Sequence, residues 1–202
     1  MRCQVLGECG GCGLHEMDYA QQLAFKKERT KEQFKDLFSD EITVYETVPD
    51  HYRNRVELKV WHEKDELLSF AMRHIDNPRA FVKIERCMIA NQVINETMGK
   101  IIPLLDKSPI LTKKLFTIDF LSTTPGDVLL SLLYHKRIDE DWKEEAIKLS
   151  KALGCSLIGR SKGVKIIVGE DFLVEKLQVQ DHVYTYRHDE NAFTQPNAFI
   201  NA

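Results

Sequence analysis

The chain has 202 residues, of which 43% are hydrophobic and 29% are charged, and its formal net charge is -3 at pH 7. This size and composition predict a folded core in one large domain or two small ones. The chain has no apolar run of membrane-spanning length and no signal-peptide pattern, so we expect a cytoplasmic protein without a membrane partner. A nucleic acid would have to bind a local basic face, because the net charge is negative.

Cysteines are concentrated at the start of the chain. Three of the five lie within the first twelve residues, with the spacing Cys3-x5-Cys9-Gly-Gly-Cys12. Clustered cysteines without an export signal favour metal binding over disulfides. Zinc sites commonly use two C-x2-C pairs, whereas this segment has only one. The spacing therefore favours a [4Fe–4S] cluster, with zinc as the alternative.

Such a centre needs a fourth ligand, and Cys87 is the predicted one. His15 is a second option for that position, and a segment whose thiols bind no metal remains an open alternative. Cys155 lies in an apolar, strand-like run. It is therefore predicted to be a small core residue rather than a ligand.

Hydrophobic periodicity predicts the elements of the first half of the chain. Apolar residues at helical spacing predict a helix over residues 18–37, with Asp18 as its N-cap. Strands follow, most clearly at residues 53–62, where apolar and charged side chains alternate. Turn signals at Lys64-Asp65 and Asn77-Pro78 separate neighbouring strands. The strands predicted in this half are residues 42–48, 53–62, 67–75 and 80–85.

The second half contains two amphipathic helices and six short strands. The helices are predicted at residues 91–105 and 139–153, and Gly154 is placed to cap the second one. The strands are predicted at residues 116–122, 128–135, 155–160, 164–168, 172–177 and 182–187. Strands outnumber helices and come as hairpins, so the sequence predicts an antiparallel, β-rich α+β fold with flanking helices.

Three regions are expected along the chain. Residues 1–40 form a cysteine segment and a helix, and residues 41–190 form the central antiparallel domain, to which Cys87 belongs. Residues 191–202 look like a loop that leads into a new helix. We therefore expect the chain to be truncated at the start of a further domain.

Five short motifs follow one another between His51 and Asn197. They are Tyr52-Arg53-Asn54-Arg55 with Trp61-His62, Lys114-Leu115-Phe116-Thr117-Ile118-Asp119, Ser131-Leu132-Leu133-Tyr134-His135-Lys136, Leu157-Ile158-Gly159-Arg160 and Phe193-Thr194-Gln195-Pro196-Asn197. In this order they resemble the N-terminal half of the bacterial tRNA uracil-5-methyltransferases. The resemblance implies an enzyme that uses S-adenosylmethionine to methylate C5 of the T-loop uridine of tRNA.

The cysteine spacing adds a second resemblance. Together with Cys87, the Cys3-x5-Cys9-Gly-Gly-Cys12 segment is similar to the [4Fe–4S] motif of the 23S ribosomal RNA uracil-5-methyltransferases. The best-known tRNA enzymes lack that motif. The two resemblances together imply a tRNA-type enzyme that retains a cluster, with ribosomal RNA as the alternative substrate.

The resemblance also implies that the reacting groups are not in this chain. In the family, a cysteine thiolate adds to C6 of uracil, C5 attacks the sulfonium methyl group, and a base then removes the C5 proton. In the family, the nucleophilic cysteine and the base both lie in a C-terminal, Rossmann-like α/β domain, which also holds most of the cofactor pocket. The 202-residue chain alone is therefore expected to be inactive. We also expect the protein to be a monomer.

Several site residues are implied by position in the motifs. Gln195 matches the family glutamine that contacts S-adenosylmethionine, with an ordinary loop amide as the alternative. Phe116 and His135 match positions implicated in RNA contact, where a ring can stack on an unpaired base. A core position for Phe116 and a polar strand end for His135 remain open. The candidate phosphate contacts are Arg53, Arg55, Lys136 and Arg160, for which a solvated surface position is the alternative.

A second class of function also fits these residues, namely a non-catalytic, metal-containing RNA-binding module. An electron carrier of the ferredoxin type is disfavoured, because the chain has only one cysteine motif of this kind in a large β-rich body.

Overall fold

The computed structural model describes residues 3–14, 16–64 and 67–201. His15 and the Asp65 position of the predicted turn lie outside the described residues. The helices are α1 (Tyr19–Phe34), α2 (Gln92–Leu105), α3 (Pro109–Thr112) and α4 (Glu140–Leu153). The strands are β1 (Arg55–His62), β2 (Leu68–Arg73), β3 (Phe81–Lys83), β4 (Leu115–Ser122), β5 (Val128–Tyr134), β6 (Ser156–Ser161), β7 (Val164–Val168), β8 (Phe172–Val179) and β9 (His182–Asp189).

Seven strands form one sheet in the order β3-β2-β1-β4-β5-β6-β7, and β8 pairs with β9 in a separate hairpin. The α+β class is confirmed, but a purely antiparallel sheet was wrong, because β5 and β6 run parallel. Parallel neighbours need a long crossover connection, and α4 provides it here. The sequence showed each strand and the helix between them, but not the pairing of the strands.

Helices cover one face of the large sheet. In β1 the side chains of Val56, Leu58 and Val60 are buried on this face, as their alternation predicts. Trp142 of α4 is fully buried in the same core cluster. It packs so closely on β6 that a Cβ built on Gly159 would lie 2.5 Å from the indole ring.

The opposite face carries the β8–β9 hairpin over part of its area. Leu173 of β8 packs there in a small cluster with three side chains of the sheet, namely Leu121, Leu129 and Ile158. Along the rest of this face lie polar, charged and aromatic side chains, including Lys59 and Asp119. We call this part of the sheet the open face.

Most predicted elements are confirmed, and the capping residues account for their ends. Asp18 accepts a hydrogen bond from the Gln21 backbone, and the Gln21 side chain completes a capping box at the start of α1. Gly154 ends α4 in the left-handed region, with φ of 69°. The single turn of α3 was not predicted, because four residues are too short for a periodic signal.

The predicted strand at residues 42–48 was wrong. These residues are all described and are not in a strand. The Thr47 backbone N–H donates to the Tyr19 hydroxyl of α1 at 2.9 Å, so the segment runs beside that helix. Alternating side chains need a neighbouring strand to form a ladder, and none pairs with this segment in the described part of the chain.

None of the helices in the described ranges is long and apolar enough to cross a membrane.

Candidate nucleic-acid interface, cofactor loop and cysteine site

Two predicted site residues come together at one end of the sheet. The rings of Phe116 and His135 are stacked, with centroids 3.8 Å apart and an angle of 11° between their planes. A β-bulge explains the position of Phe116, because Leu115 pairs with Tyr134 and Thr117 pairs with Leu133, leaving Phe116 as the extra residue. The backbone N–H of His135 donates to the Lys114 carbonyl at 3.0 Å, which holds the second ring opposite.

A lysine on the neighbouring strand extends this ring pair. The Lys59 ammonium lies 5.7 Å from the centroid of the Phe116 ring, a distance at which a cation and an aromatic face attract each other. The same ammonium donates to the Thr117 hydroxyl at 2.9 Å and forms an ion pair with Glu57. Lys59 was not predicted as a site residue from the sequence, although its position on the charged side of β1 was a usable signal.

Basic residues surround the ring pair because four strand ends meet there. The start of β4, the end of β5, the end of β6 and the start of β7 are joined at this end by their register. Lys165, within β7, forms ion pairs with Asp171 and Glu190. Four exposed cations that flank these strand ends form no ion pair within the described residues. We call them the basic edge, which consists of Lys113, Lys114, Arg137 and Lys162.

A depression of about 350 Å³ lies between the ring pair and β7. Its lining includes Phe116, Leu133 and Arg160 from the open face, and Lys162 from the β6–β7 turn. An aromatic wall beside cations is the combination that proteins use to hold an unpaired base and its phosphate. This end of the open face can therefore accept a single-stranded nucleotide.

The predicted phosphate contacts at Arg55 and Arg160 are engaged inside the protein. Arg55 forms an ion pair with Asp119, with 2.6 Å between Nη2 and Oδ2. Arg160 donates through Nε to the Glu190 carboxylate at 2.6 Å. Arg53 donates through Nε to the Arg55 carbonyl at 3.0 Å, and Lys136 donates to the Ile110 carbonyl.

The loop that carries Gln195 is fixed on both sides of this residue. Thr194 and Ala198 are buried, whereas Gln195 itself is exposed. The Pro196 carbonyl accepts a hydrogen bond from the Asn54 backbone N–H at 2.7 Å. The Gln195 amide is therefore held out from an anchored backbone, where it is available to a ligand.

The cysteine segment is attached through its backbone to the C-terminal end of β2 and the residues that follow it. Gly10 N–H donates to the Arg73 carbonyl and Ile75 N–H donates to the Glu8 carbonyl, both at 2.8 Å. Cys87 belongs to a second loop. The Asn95 side chain of α2 accepts a hydrogen bond from the Cys87 N–H and donates one to the Cys87 carbonyl. None of the five cysteines, all of them in described positions, is in a disulfide.

Burial and neighbouring thiols raise the pKa values of two of the four predicted ligands. Partial burial raises the pKa of the Cys9 thiol, and charge on Cys87 and Cys3 raises it further. The pKa of Cys12 is raised in the same way, first by burial and then by charge on the other three cysteines. The pKa values of Cys9 and Cys12 therefore respond to the charge of Cys3 and Cys87.

The predicted metal site is not shown by the described residues. Within the described ranges, no three histidine, cysteine or carboxylate side chains are grouped so as to hold a metal ion. A single tetrahedral zinc draws four sulfurs to about 2.3 Å from one centre, whereas each cysteine of a [4Fe–4S] cluster binds a different iron, and the choice between the two stays a prediction. The Gly11 N–H also points at the Cys9 sulfur, at 3.4 Å, and such donors stabilise thiolate ligands.

The chain is similar to known proteins over most of its length. A family profile described as "tRNA (Uracil-5-)-methyltransferase" matches residues 18–202. A relative from Sulfurovum sp. (strain NBC37-1), named "tRNA/tmRNA (uracil-C(5))-methyltransferase", is 36% identical over all of this chain and 54% of its own length. A relative of the same name from Teredinibacter turnerae is 41% identical over 90% of this chain and 50% of its own length.

A solved structure shares the fold. The Pyrococcus abyssi tRNA (uracil-54, C5)-methyltransferase, solved in complex with S-adenosyl-L-homocysteine, matches with a TM-score of 0.68 and 18% identity. The match covers 95% of this chain and 48% of that one. These matches are to methyltransferases. The chain belongs to the tRNA (uracil-5-)-methyltransferase family, and it spans about half the length of the curated relatives that it matches.

Proposed function

We propose that this chain is the N-terminal, RNA-recognising part of an enzyme that transfers a methyl group from S-adenosylmethionine to C5 of a uridine in the T-loop of tRNA. The observation that carries the proposal is the Phe116–His135 ring pair, which lies beside the basic edge in a member of this family. Stacking rings and phosphate-binding cations together suit an RNA loop with splayed bases.

Each part of the site has a distinct task in this proposal. The ring pair stacks on an unpaired base, and Lys59 with the basic edge attracts the phosphates. The exposed Gln195 amide pairs with the polar methionine portion of S-adenosylmethionine, since an amide offers both donors and an acceptor. The nucleophile and the proton-removing base belong to the other half of the enzyme, so this chain contributes recognition and orientation.

We further infer that Cys3, Cys9, Cys12 and Cys87 hold a [4Fe–4S] cluster. The spacing of the cysteines, the adjacent glycines and the Gly11 N–H directed at the Cys9 sulfur support this inference. When bound, the cluster would cross-link the first twelve residues to the loop before α2. The role of the cysteines is therefore structural, and none of them acts as the nucleophile.

A ribosomal RNA substrate is the second candidate, and the cysteine motif is the feature that favours it. The names of the curated relatives, which specify tRNA and tmRNA, support tRNA instead. Methylation assays of the full-length enzyme with both RNAs decide between the two. Methyl transfer to 23S ribosomal RNA and not to tRNA would contradict the tRNA assignment.

The RNA face is tested by binding measurements on the full-length enzyme. The variants Phe116→Ala and His135→Ala should each weaken tRNA binding roughly 5- to 150-fold, because one stacked base contributes about 1–3 kcal/mol. Lys114→Ala should reduce the slope of log binding constant against log salt concentration by about one, because one phosphate contact is lost. Binding is measured by titration at several salt concentrations.

Tyr184→Ala is the matched control for these variants, because Tyr184 is an exposed aromatic on the β8–β9 hairpin. It should leave tRNA affinity unchanged. Unchanged affinity in the Phe116 and His135 variants would instead remove the ring pair from the RNA interface.

A further inference from the structure

One short segment of the chain is bonded on both sides to other parts of the molecule. We call residues 51–55 the connecting segment. On one side, Arg53 N–H donates to the Ile89 carbonyl and Asn91 N–H donates to the Arg53 carbonyl, both at 2.8 Å. On the other side, Asn54 N–H donates to the Pro196 carbonyl at 2.7 Å. The segment therefore joins the loop that follows Cys87 to the loop that carries Gln195.

Buried side-chain bonds fix the centre of this segment. Asn54 is only 2% exposed. Its backbone carbonyl accepts from the Ser122 N–H at 2.7 Å, and its side-chain oxygen accepts from Asn91 at 2.8 Å. A buried amide with these partners has a single orientation, since any rotation would leave polar atoms unpaired.

Arg55 extends this attachment to the Gln195 loop. Its Nη1 donates to the Ala192 carbonyl and its Nη2 to the Glu190 carbonyl, both at 2.9 Å. Its Nε and Nη2 donate to one oxygen of Asp119, at 3.2 Å and 2.6 Å. Asp119 belongs to the central strand β4. The guanidinium thus bridges the sheet and the loop backbone with four hydrogen bonds.

The loop carbonyls that accept these hydrogen bonds lie on both sides of Gln195. The first belongs to Glu190, five residues before it, and the last to Pro196, one residue after it. Gln195 is exposed between them, so its side chain is the free end of a constrained loop. A loop that is already ordered does not lose further conformational entropy when its ligand binds. Fixing the backbone here therefore favours any ligand of the Gln195 amide.

We propose that Arg55 is a positioning residue for cofactor binding, which holds residues 190–197 so that Gln195 meets S-adenosylmethionine in a fixed orientation. This inference rests on the proposed function, in which Gln195 contacts that cofactor. It also assigns Arg55 a role other than phosphate contact, because four of its hydrogen bonds are made within the protein.

Substitution by lysine separates the two roles. Lysine keeps the positive charge but lacks the planar fork that reaches two carbonyls and a carboxylate at once. In the full-length enzyme, Arg55→Lys should therefore raise the dissociation constant for S-adenosylmethionine about tenfold. Its affinity for tRNA should stay within about twofold of wild type. The opposite pattern, with weaker tRNA binding and unchanged cofactor binding, would overturn the inference.

A double-mutant cycle with Gln195→Ala tests whether Arg55 acts through Gln195. If it does, adding Arg55→Lys to Gln195→Ala should change cofactor affinity much less than Arg55→Lys does alone. Full additivity would show that the two residues act independently and would overturn the positioning role. Arg29→Lys is the control, because Arg29 is exposed on α1 and should leave both affinities unchanged.

Hydrogen exchange gives a readout that does not depend on activity. Amides of residues 190–197 should exchange faster in Arg55→Lys, while those of the core strands β4 and β5 stay protected. Unchanged exchange in the loop would contradict the attachment. A wild-type enzyme that binds no S-adenosylmethionine would overturn the proposed function itself, which is a different outcome from cofactor binding that is insensitive to Arg55.

Discussion

At the scale of single residues, Gly159 shows how a glycine permits the core to close. It lies on β6 directly beneath α4, where an added Cβ would fall 2.5 Å from Trp142 and 2.6 Å from Ile138. Both neighbours are buried, so neither can move without disturbing the core. The absence of a side chain at this position therefore sets how closely the helix can approach the sheet.

The substitution Gly159→Ala should accordingly destabilise the protein by about 1–3 kcal/mol, the usual cost of overpacking a core. Gly99→Ala is the control, because Gly99 lies in α2 and an added Cβ there meets nothing within 4 Å. It should be neutral or stabilising by up to about 1 kcal/mol, since alanine favours helices. Denaturant unfolding measures both, and equal stabilities would show that the core can accommodate the methyl group.

Residue-scale signals in the sequence identified part of the candidate site. Phe116, His135 and Gln195 were selected from their motifs, and the fold stacks the first two against each other. The basic edge was missed, because its members come from three separate chain segments that only the sheet register brings together. Arg55 was selected as a phosphate contact, since a sequence does not show which carbonyls surround a guanidinium.

At the scale of elements, the β8–β9 hairpin depends on Glu190 for its attachment. Glu190 follows β9 and is 5% exposed. Its carboxylate accepts hydrogen bonds from Arg160 of β6 and from Ser131 of β5. Burial raises the pKa of Glu190, but these bonds and the charges of Arg160 and Lys165 outweigh it, so the pKa lies below its ordinary value.

Because the folded-state pKa of Glu190 is lowered, its contribution is fully present above the unfolded-state pKa of about 4.3. It is lost as the pH falls through the folded-state value. Glu190→Gln should therefore lower the free energy of unfolding by about 2 kcal/mol at neutral pH, and by progressively less below about pH 4. Thermal unfolding across pH measures this difference. A difference that does not change with pH would exclude the carboxylate charge as the cause.

Glu140→Gln provides the matched change at an exposed ion pair with Lys143. Its effect should stay below about 0.5 kcal/mol, as is usual for such pairs.

Element boundaries were predicted well where the signal is local, and poorly where it depends on a partner. Asp18 and Gly154 define helix ends by bonding to residues close in the chain. Residues 42–48 have a strand-like pattern but lie beside α1, and the parallel pairing of β5 and β6 was not anticipated. Pattern alone gives the tendency of a segment, whereas pairing depends on what the rest of the fold places next to it.

At the scale of the whole molecule, the proposed cysteine site would link two distant parts of the chain. The charge of Cys87 raises the pKa values of Cys9 and Cys12, and the connecting segment leads from the loop of Cys87 to Gln195. In the proposed enzyme, Cys87→Ser should abolish iron binding and speed hydrogen exchange in residues 3–14. Cys155→Ala should retain the iron, because Cys155 lies apart from the other four and burial raises its pKa to about 12.

Iron and sulfide analysis with visible absorption, on protein purified without oxygen, measures the first effect. Full iron content in Cys87→Ser would remove Cys87 from the ligand set. A colourless wild-type protein that contains zinc would show that the site binds zinc and not a cluster.

The sequence by itself determined the class of fold, the ends of the main helices, the inward faces of strands such as β1, and the family. These follow from periodicity, capping residues and short motifs, all of which act over a few neighbouring positions. Only the tertiary structure decided that Phe116 lies on His135, that the Asn54 backbone is bonded to Pro196, and that Arg55 is bonded to the backbone before Gln195. Such contacts join residues far apart in the chain, and they exist only once strand register and burial have fixed which groups face each other.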